Sequence, residues 1–331
     1  MRAAARAVQV DKAFSSQYNF SMKSIFGPVP SRRFGRSLGI DVIPAKTCSF
    51  DCIYCESGPT TRLSLTRQNF IDCSEVLDEL RAFTRLNPNG ADVFTFSSAG
   101  EPTLYEPLGE LIAAVKKDYP QTPLIVLTNG SLLWKPEVRR GLLKADRVVP
   151  SLDAVTEAVF RKINRPHPFL EPGQIIEGLR AFRKDYKGQL HIETLLVHGV
   201  NDSREELSAI AGTIASIMPD KVELNTVARP PAHCGTKGLT DERMAEAAAF
   251  FSSLNVEIVG VFESRGQNSS AEDIHQRIMD TVERRPCTEA ELAASLGVSL
   301  ERVQRESRRL QEQGRLTRIS FGGKSFLCPA R

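Results

Sequence analysis

No run of about eighteen uninterrupted apolar residues occurs in this 331-residue chain, which argues against a membrane-spanning helix. Nor does one sign of charge dominate: 43 Lys and Arg stand against 40 Asp and Glu, a formal net charge of +3. A general nucleic-acid coat is excluded, and any basic patch has to be local. A disulfide framework is missing as well. The seven cysteines are an odd number, and three crowd into one short loop while Cys73, Cys234, Cys287 and Cys328 are scattered. That usage points to a reducing, cytoplasmic compartment in which free thiols survive. Acids are scarce at the start: Met1 to Ser21 is rich in Ala, Arg and Ser and holds one, Asp11. The composition faintly resembles an organelle transit peptide. No long apolar region or cleavage signal accompanies it, so a start at Met22, or an unstructured extension over 1–23, is preferred.

What is present begins with Thr47-Cys48-Ser49-Phe50-Asp51-Cys52-Ile53-Tyr54-Cys55. Three thiols spaced Cys48-x3-Cys52-x2-Cys55 can point at one object. Thiolates prefer soft metals, and three ligands leave one coordination position open. An iron–sulfur cluster with one free iron is the sharper reading. A structural zinc site with Cys73 or Cys234 as fourth ligand is the plainer one.

From there to about 262 the chain repeats a strand, a polar turn and an amphipathic helix. Apolar runs at 38–44, 92–97, 123–128, 147–152, 190–196 and 221–226 alternate with helical spacing near 74–86, 105–118, 135–144, 154–163, 173–185, 203–217 and 240–254. A last apolar run follows at 256–261. The stretch 26–36, with two prolines, two glycines and three arginines, reads as a loop; Arg32, Arg33 and Arg36 fall at the N-terminal end of the first strand. The alternation predicts an α/β fold, a partial or full (β/α) barrel of parallel strands over 24–262, with a doubly wound sheet as runner-up. In a barrel the loops after the strands build the site. That places the cysteine loop, Gly100-Glu101, Asn129, and Ser151 and Asp153 on one face. Glu193, His198 and Arg229 are further candidates there, Arg229 for an anionic group. The segment 164–168 is read as a surface connection, slightly ahead of a rigid loop reaching over the site to substrate, and His191 as packed in or beside the barrel.

The polar segment Ser264–Ser270 marks a boundary, and 268–331 changes character. Two helices, the second capped by Thr288, a turn at Gly297, a third helix over 300–313 and a hairpin turning at Gly322-Gly323 form the winged helix-turn-helix pattern. Over 299–318 six Arg face three Glu. That bias suits RNA or DNA phosphates, although winged helices also dock proteins.

The cysteine spacing, with Tyr54 directly before Cys55, resembles the signature of the radical S-adenosylmethionine (SAM) superfamily. The resemblance implies a [4Fe–4S] cluster on Cys48, Cys52 and Cys55, SAM on the fourth iron, and reductive cleavage to a 5′-deoxyadenosyl radical. It implies an electron donor of flavodoxin or ferredoxin type. Ser98-Ala99-Gly100-Glu101-Pro102 is similar to the family's Gly-Gly-Glu motif, with Ala99 in place of the first glycine; Gly100 and Glu101 would then face the SAM amino group. Tyr54, Asn129, Ser151 and Asp153 take positions where the family contacts its cofactor. The run 26–33 with the later Gly100-Glu101-Pro102-Thr103-Leu104 resembles an iron–sulfur oxidoreductase subgroup related to wyosine-type tRNA-modifying enzymes. Those enzymes carry a second cluster on further cysteines, and no second clustered set occurs here. The expectation is a radical SAM enzyme, with RNA modification as the leading chemistry. An iron–sulfur sensor regulating DNA through the winged helix is the alternative.

Overall fold

The computed structural model describes residues 23–31, 35–88, 90–259 and 274–330. The expected extension, Arg32, Arg33 and the boundary segment 264–270 lie outside these residues, Lys23 excepted. Strand β1 (Ile25–Ser31) pairs antiparallel with β2 (Gly35–Ile40), and short strands β3 (Thr47–Cys48) and β4 (Arg62–Leu63) follow. Then come α1 (Cys73–Leu86), β5 (Val93–Phe96), α2 (Leu108–Asp118), β6 (Leu124–Thr128), α3 (Pro136–Leu142), β7 (Arg147–Pro150), α4 (Glu157–Ile163) and α5 (Pro172–Asp185). The alternation ends with β8 (Gln189–Leu196), α6 (Arg204–Ile217), β9 (Lys221–Thr226), α7 (Asp241–Ala249) and β10 (Val256–Ile258).

Eight strands form one sheet in the order β1-β2-β5-β6-β7-β8-β9-β10. Every pair from β2 to β10 is parallel. A doubly wound sheet reverses its strand order at a switch point. This sheet adds strands in chain order with no reversal, so the partial-barrel expectation holds. Among the described residues β1 and β10 are its two unjoined ends.

Helix α1 shows what drives the helices inward. Asp72 stands at its N-cap without a side-chain cap bond, while Val76, Leu80 and Phe83 are buried. Burying three such side chains contributes about 1.5–3 kcal/mol each, against about 1 kcal/mol for a cap, so the apolar stripe decides this helix.

Two sequence expectations need correction. Of the stretch 26–36 expected as a loop, the described residues 26–31 and 35–36 are strand: they contribute most of β1 and the start of β2. Proline is tolerated on an edge strand, where no ladder bond is lost, and Pro28 falls within the register shift between Phe26 and Val29. The first parallel strand is 35–40, not 38–44. Val42 and Ile43 are buried, but they pack from a loop, and burial without a ladder gives the same apolar signature as a strand.

Past residue 274 the elements are α8 (Ile274–Arg284), α9 (Glu289–Leu296), α10 (Leu300–Glu312) and the hairpin β11 (Leu316–Phe321) and β12 (Lys324–Pro329). They enclose their own apolar cluster, including Ile278, Val282, Leu292, Val303, Leu310 and Leu327. Thr288 caps α9 reciprocally with Glu291, as its position suggested. This unit packs on β1. The Arg284 guanidinium lies 4.1 Å from the centroid of the Phe26 ring and 3.2 Å from Asp41. The Phe26 ring in turn lies against Gly39, where an added Cβ would come within 2.1 Å of it. No helix among the described residues is long and apolar enough to cross a membrane.

Candidate active site

The cysteine loop leaves the sheet after β2 and lies at the C-terminal ends of the strands, held there by the loops that follow other strands. From the loop after β5, Ala99 O accepts from Lys46 N at 2.8 Å, and Glu101 N donates to Thr47 O at 3.1 Å. From the loop after β6, Asn129 Nδ2 donates to Ser49 Oγ at 2.8 Å and lies 3.5 Å from Cys48 Sγ, while Ser131 Oγ lies 2.6 Å from Ser49 Oγ. From the end of α4, Ile163 O accepts from Ile53 N at 3.0 Å and Asn164 O from Asp51 N at 3.0 Å; His167 N donates to Ser49 O at 2.8 Å. From the loop after β9, His233 N donates to Ile53 O at 3.1 Å.

Gly100 owes its identity to this packing. A Cβ there would sit 2.1 Å from Thr47 O and 2.8 Å from Ile43 Cγ2, so the motif loop can lie against the cysteine loop only without a side chain. Glu101 is 1% exposed and turned inward. Its Oε1 accepts from Thr103 N, Thr103 Oγ1 and Thr128 Oγ1 at 2.9, 2.6 and 2.6 Å, and its Oε2 accepts from Asn129 N at 2.7 Å. These donors make Glu101 a brace inside the chain, with three bonds on Oε1 and one on Oε2, which retains acceptor capacity for the ammonium group expected of it. Burial raises its pKa, and the four donors oppose the rise.

Asp153 is likewise held by its own chain. It is 2% exposed; its Oδ2 accepts from Tyr54 OH at 2.5 Å and Asn164 Nδ2 at 2.7 Å, and its Oδ1 accepts from Leu195 N at 2.8 Å. Burial pushes its pKa up to about 6. A buried carboxylate has to be satisfied, and this one is satisfied by its own chain. Tyr54 is thereby fixed through its hydroxyl. Ser151 is half-buried, extends β7, and bridges to Glu193, whose carboxylate accepts from Asn225 at 3.1 Å.

Asn164 is the residue that sequence reading undervalued. Read as a surface connection, 164–168 instead flanks the cysteines, with Asn164 Nδ2 3.5 Å from Cys52 Sγ. An Asn directly before Arg-Pro-His-Pro was visible; the partner 112 positions earlier was not. His198 turns away, with a side chain 62% exposed near Asp202, and His191 is buried 2.7 Å from Glu223. Cys234 is exposed, and Cys73 pairs at 3.3 Å with the Tyr105 hydroxyl.

Burial raises the pKa of all three clustered thiols. Cys48 goes up to about 12, helped by the Glu101 charge; Cys52 rises with help from Asp153 and is opposed by Asn164; Cys55 is opposed by Lys46. Among the described residues no three His, Cys, Asp or Glu side chains converge closely enough for a single metal ion.

Arg229 does not wait for an anionic ligand. Its Nε lies 3.2 Å from Glu56, the residue after Cys55, and its two Nη atoms grip Glu291 of α9 at 2.5 and 2.8 Å; Nη1 also donates to Pro286 O at 3.0 Å. Burial pulls the Arg229 pKa down, and Glu56 and Glu291 together more than reverse it. Burial likewise raises that of Glu291, and Arg229 outweighs this, leaving it below the ordinary carboxylate value. A carboxylate depressed on folding contributes stability above its unfolded value, about 4.5, and loses it as pH falls through the folded value. Glu291→Gln should therefore cost about 1–3 kcal/mol at pH 7. In parallel melts of both proteins the difference should shrink below about pH 4.5. A gap that is flat between pH 3 and 7 would remove the ion-pair account.

A family model described as the radical SAM superfamily matches residues 42–209. The chain is 37% identical over 297 residues to a protein named GTPase Obg from Brachyspira hyodysenteriae; the match spans 89% of this chain and 43% of the length of that relative. A UPF0026 protein from Methanocaldococcus jannaschii is 32% identical over 313 residues, across 92% of this chain and 95% of its own. A solved radical SAM methyltransferase from Sphaerobacter thermophilus shares the fold with a TM-score of 0.52 at 18% identity, covering 70% of this chain and 67% of that one. With the triad at the C-terminal ends of a partial barrel and the family model matching half the chain, this protein belongs to the radical SAM superfamily and is an enzyme whose cofactors are a [4Fe–4S] cluster and SAM.

Proposed function

We infer that Cys48, Cys52 and Cys55 ligate the cluster, that the adjoining strand ends hold SAM, and that the substrate is an RNA. The observation that supports this most is the clamping of one three-thiol loop by the loop ends of four other parts of the barrel. The donor set fits the group. Bare thiolates are costly at these buried positions, and iron coordination is what offsets that cost. A buried ammonium, Lys46 Nζ, lies beside Gly58 at the turn that closes this loop, without a hydrogen-bond partner among the described residues.

When bound, the two cofactors supply a one-electron reductive cleavage that yields a 5′-deoxyadenosyl radical. The chain's own residues position and seal. Asn129 and Asn164 flank Cys48 and Cys52, and Glu101 and Asp153 lock those asparagines from behind. Phe50, 4% exposed and edge-on to Phe160 at 5.5 Å, excludes water under the loop. Contacts to SAM are assigned to the strand-end residues Gly100, Glu101 through its Oε2, Asn129, Ser151 and Asp153, and to Tyr54. A donor of flavodoxin or ferredoxin type provides the electron.

The RNA reading rests on the C-terminal unit and on the likeness of 24–262 to wyosine-type enzymes. Arg305 and Arg308 of α10 are exposed and have no ion-pair partner among the described residues, whereas Arg318 on the hairpin is held by Glu289. A three-helix unit with a hairpin, read as a winged helix, would present that helix to phosphates. A sensor acting on DNA is not favoured, because the family and the fold neighbours are those of enzymes. Anaerobic reconstitution with iron, sulfide, dithionite and SAM is the test, with and without bulk tRNA. Formation of 5′-deoxyadenosine, increased by tRNA, is expected. Formation that tRNA leaves unchanged would sink the RNA part, and none under any condition would sink the whole.

A further inference from the structure

The side chain that the site leaves unexplained is Lys46. Its ammonium is buried and has no hydrogen-bond partner among the described residues. Desolvating a cation without an anion to meet it is among the costliest arrangements a fold can keep. The backbone is committed to it as well. Lys46 takes a left-handed conformation, φ 62°, unusual for a residue with a side chain. That conformation is held by Lys46 N on Ala99 O at 2.8 Å, and by Lys46 O, which accepts from Thr61 N and Arg62 N at 3.1 and 3.0 Å. The side chain runs beneath the turn that closes the cysteine loop. A Cβ on Gly58 would lie 3.6 Å from Nζ, and Gly58 N donates to Cys55 O at 3.1 Å. Burial lowers the Lys46 pKa, as expected for an ammonium that no anion yet meets.

We propose that Lys46 is the charge partner of the iron–sulfur cluster, its buried ammonium placed under the turn that follows Cys55 so that it compensates the negative charge gained on reduction. This rests on the cluster assignment above. A cube of four irons and four sulfides held by three thiolates is anionic, and one electron from an external reductant makes it more so. A fixed positive charge in a low-dielectric pocket favours the reduced form and raises the reduction potential. The same ammonium is a liability before loading, when no anion meets it. One residue therefore has opposite effects on the two forms of the protein, which packing alone would not produce.

The test uses the full chain with Lys46→Met, which keeps the apolar stem, and Lys46→Arg, which keeps the charge. Before loading, the Met variant should melt at a higher temperature than wild type. After anaerobic loading, iron and sulfide content are measured and the midpoint potential is found by redox titration with spectroscopic detection. The Met variant should titrate at a more negative potential, and the Arg variant near wild type. A folded Met variant that takes up no iron, beside an Arg variant that does, equally supports the charge assignment. An unchanged potential at equal iron content overturns it, as does a Met variant less stable than wild type before loading. A wild-type chain that binds no cluster would instead refute the parent reading.

Discussion

Replacing Cys52 by Ala should abolish cluster binding and 5′-deoxyadenosine formation while leaving the fold in place. On the proposed assignment Cys52 is one of three ligands from a single loop, and two thiolates cannot hold a four-iron cluster that already leaves one iron without a protein ligand. The fold survives because the side chain is half-buried and its nearest polar neighbour, Asn164, keeps its 2.7 Å bond to Asp153. Loss of one small buried group there costs on the order of 1 kcal/mol. The measurement is iron and sulfide per chain, visible absorbance and product yield, set beside a far-ultraviolet circular dichroism melt. Full iron content and product from Cys52→Ala would end the triad assignment. A variant that fails to melt cooperatively would show the loop to be structural instead.

The second large effect is expected at Glu101. Its carboxylate receives four donors in a dry environment, and Ala would leave them without a partner. At about 1–3 kcal/mol for each unsatisfied buried group, partly relieved by rearrangement, Glu101→Ala should cost roughly 3–5 kcal/mol in urea denaturation. Glu101→Gln separates the two oxygens. The amide oxygen can serve the three donors at Oε1, while its NH2 would face the Asn129 N–H that Oε2 now accepts. About 1–2 kcal/mol is expected, concentrated where Asn129 braces Ser49 and Cys48. The reaction rate of Cys48 with a thiol reagent should rise in the Gln variant before cluster loading. Wild-type stability in Glu101→Ala would show the brace to be incidental.

These two residues mark where the sequence is and is not informative. The cysteine loop is legible because its partners are its own neighbours at spacings of four and three. The parallel sheet is legible because short buried strands read as apolar runs, and each pairs with the next strand in the chain. Helix α9 is legible because Thr288 and Glu291 cap one another three residues apart. Glu101, Asp153, Asn164 and Arg229 could be recognised as polar residues on strand-end loops, but their partners are far off. Glu291 lies 62 positions from Arg229, and Tyr54 lies 99 from Asp153. A side chain's chemistry fixes what it needs, not which of several donors or ions will supply it. That is why Arg229 invites assignment to a ligand from sequence and turns out to be occupied. Strand β1 was hidden for a different reason. Its prolines and glycine are breakers in a central strand, and no local signal tells that it lies on an edge.

The chain-order sheet also bears on when the metal site can exist during synthesis. All three thiols have been made by residue 55, before any of the clamps described above. A nascent chain ending at 98 carries all three thiols with neither Ala99 nor Glu101 to hold them. Asn129 and Ser131 arrive next, then 163–167, and last His233 and Thr236, which donate to Ile53 O at 3.1 and 3.3 Å. Iron that meets the chain early therefore finds thiols without a cage. The cage is finished only when more than two thirds of the 331 residues have been made, so on the proposed assignment stable loading is expected to follow completion of the barrel rather than emergence of the motif.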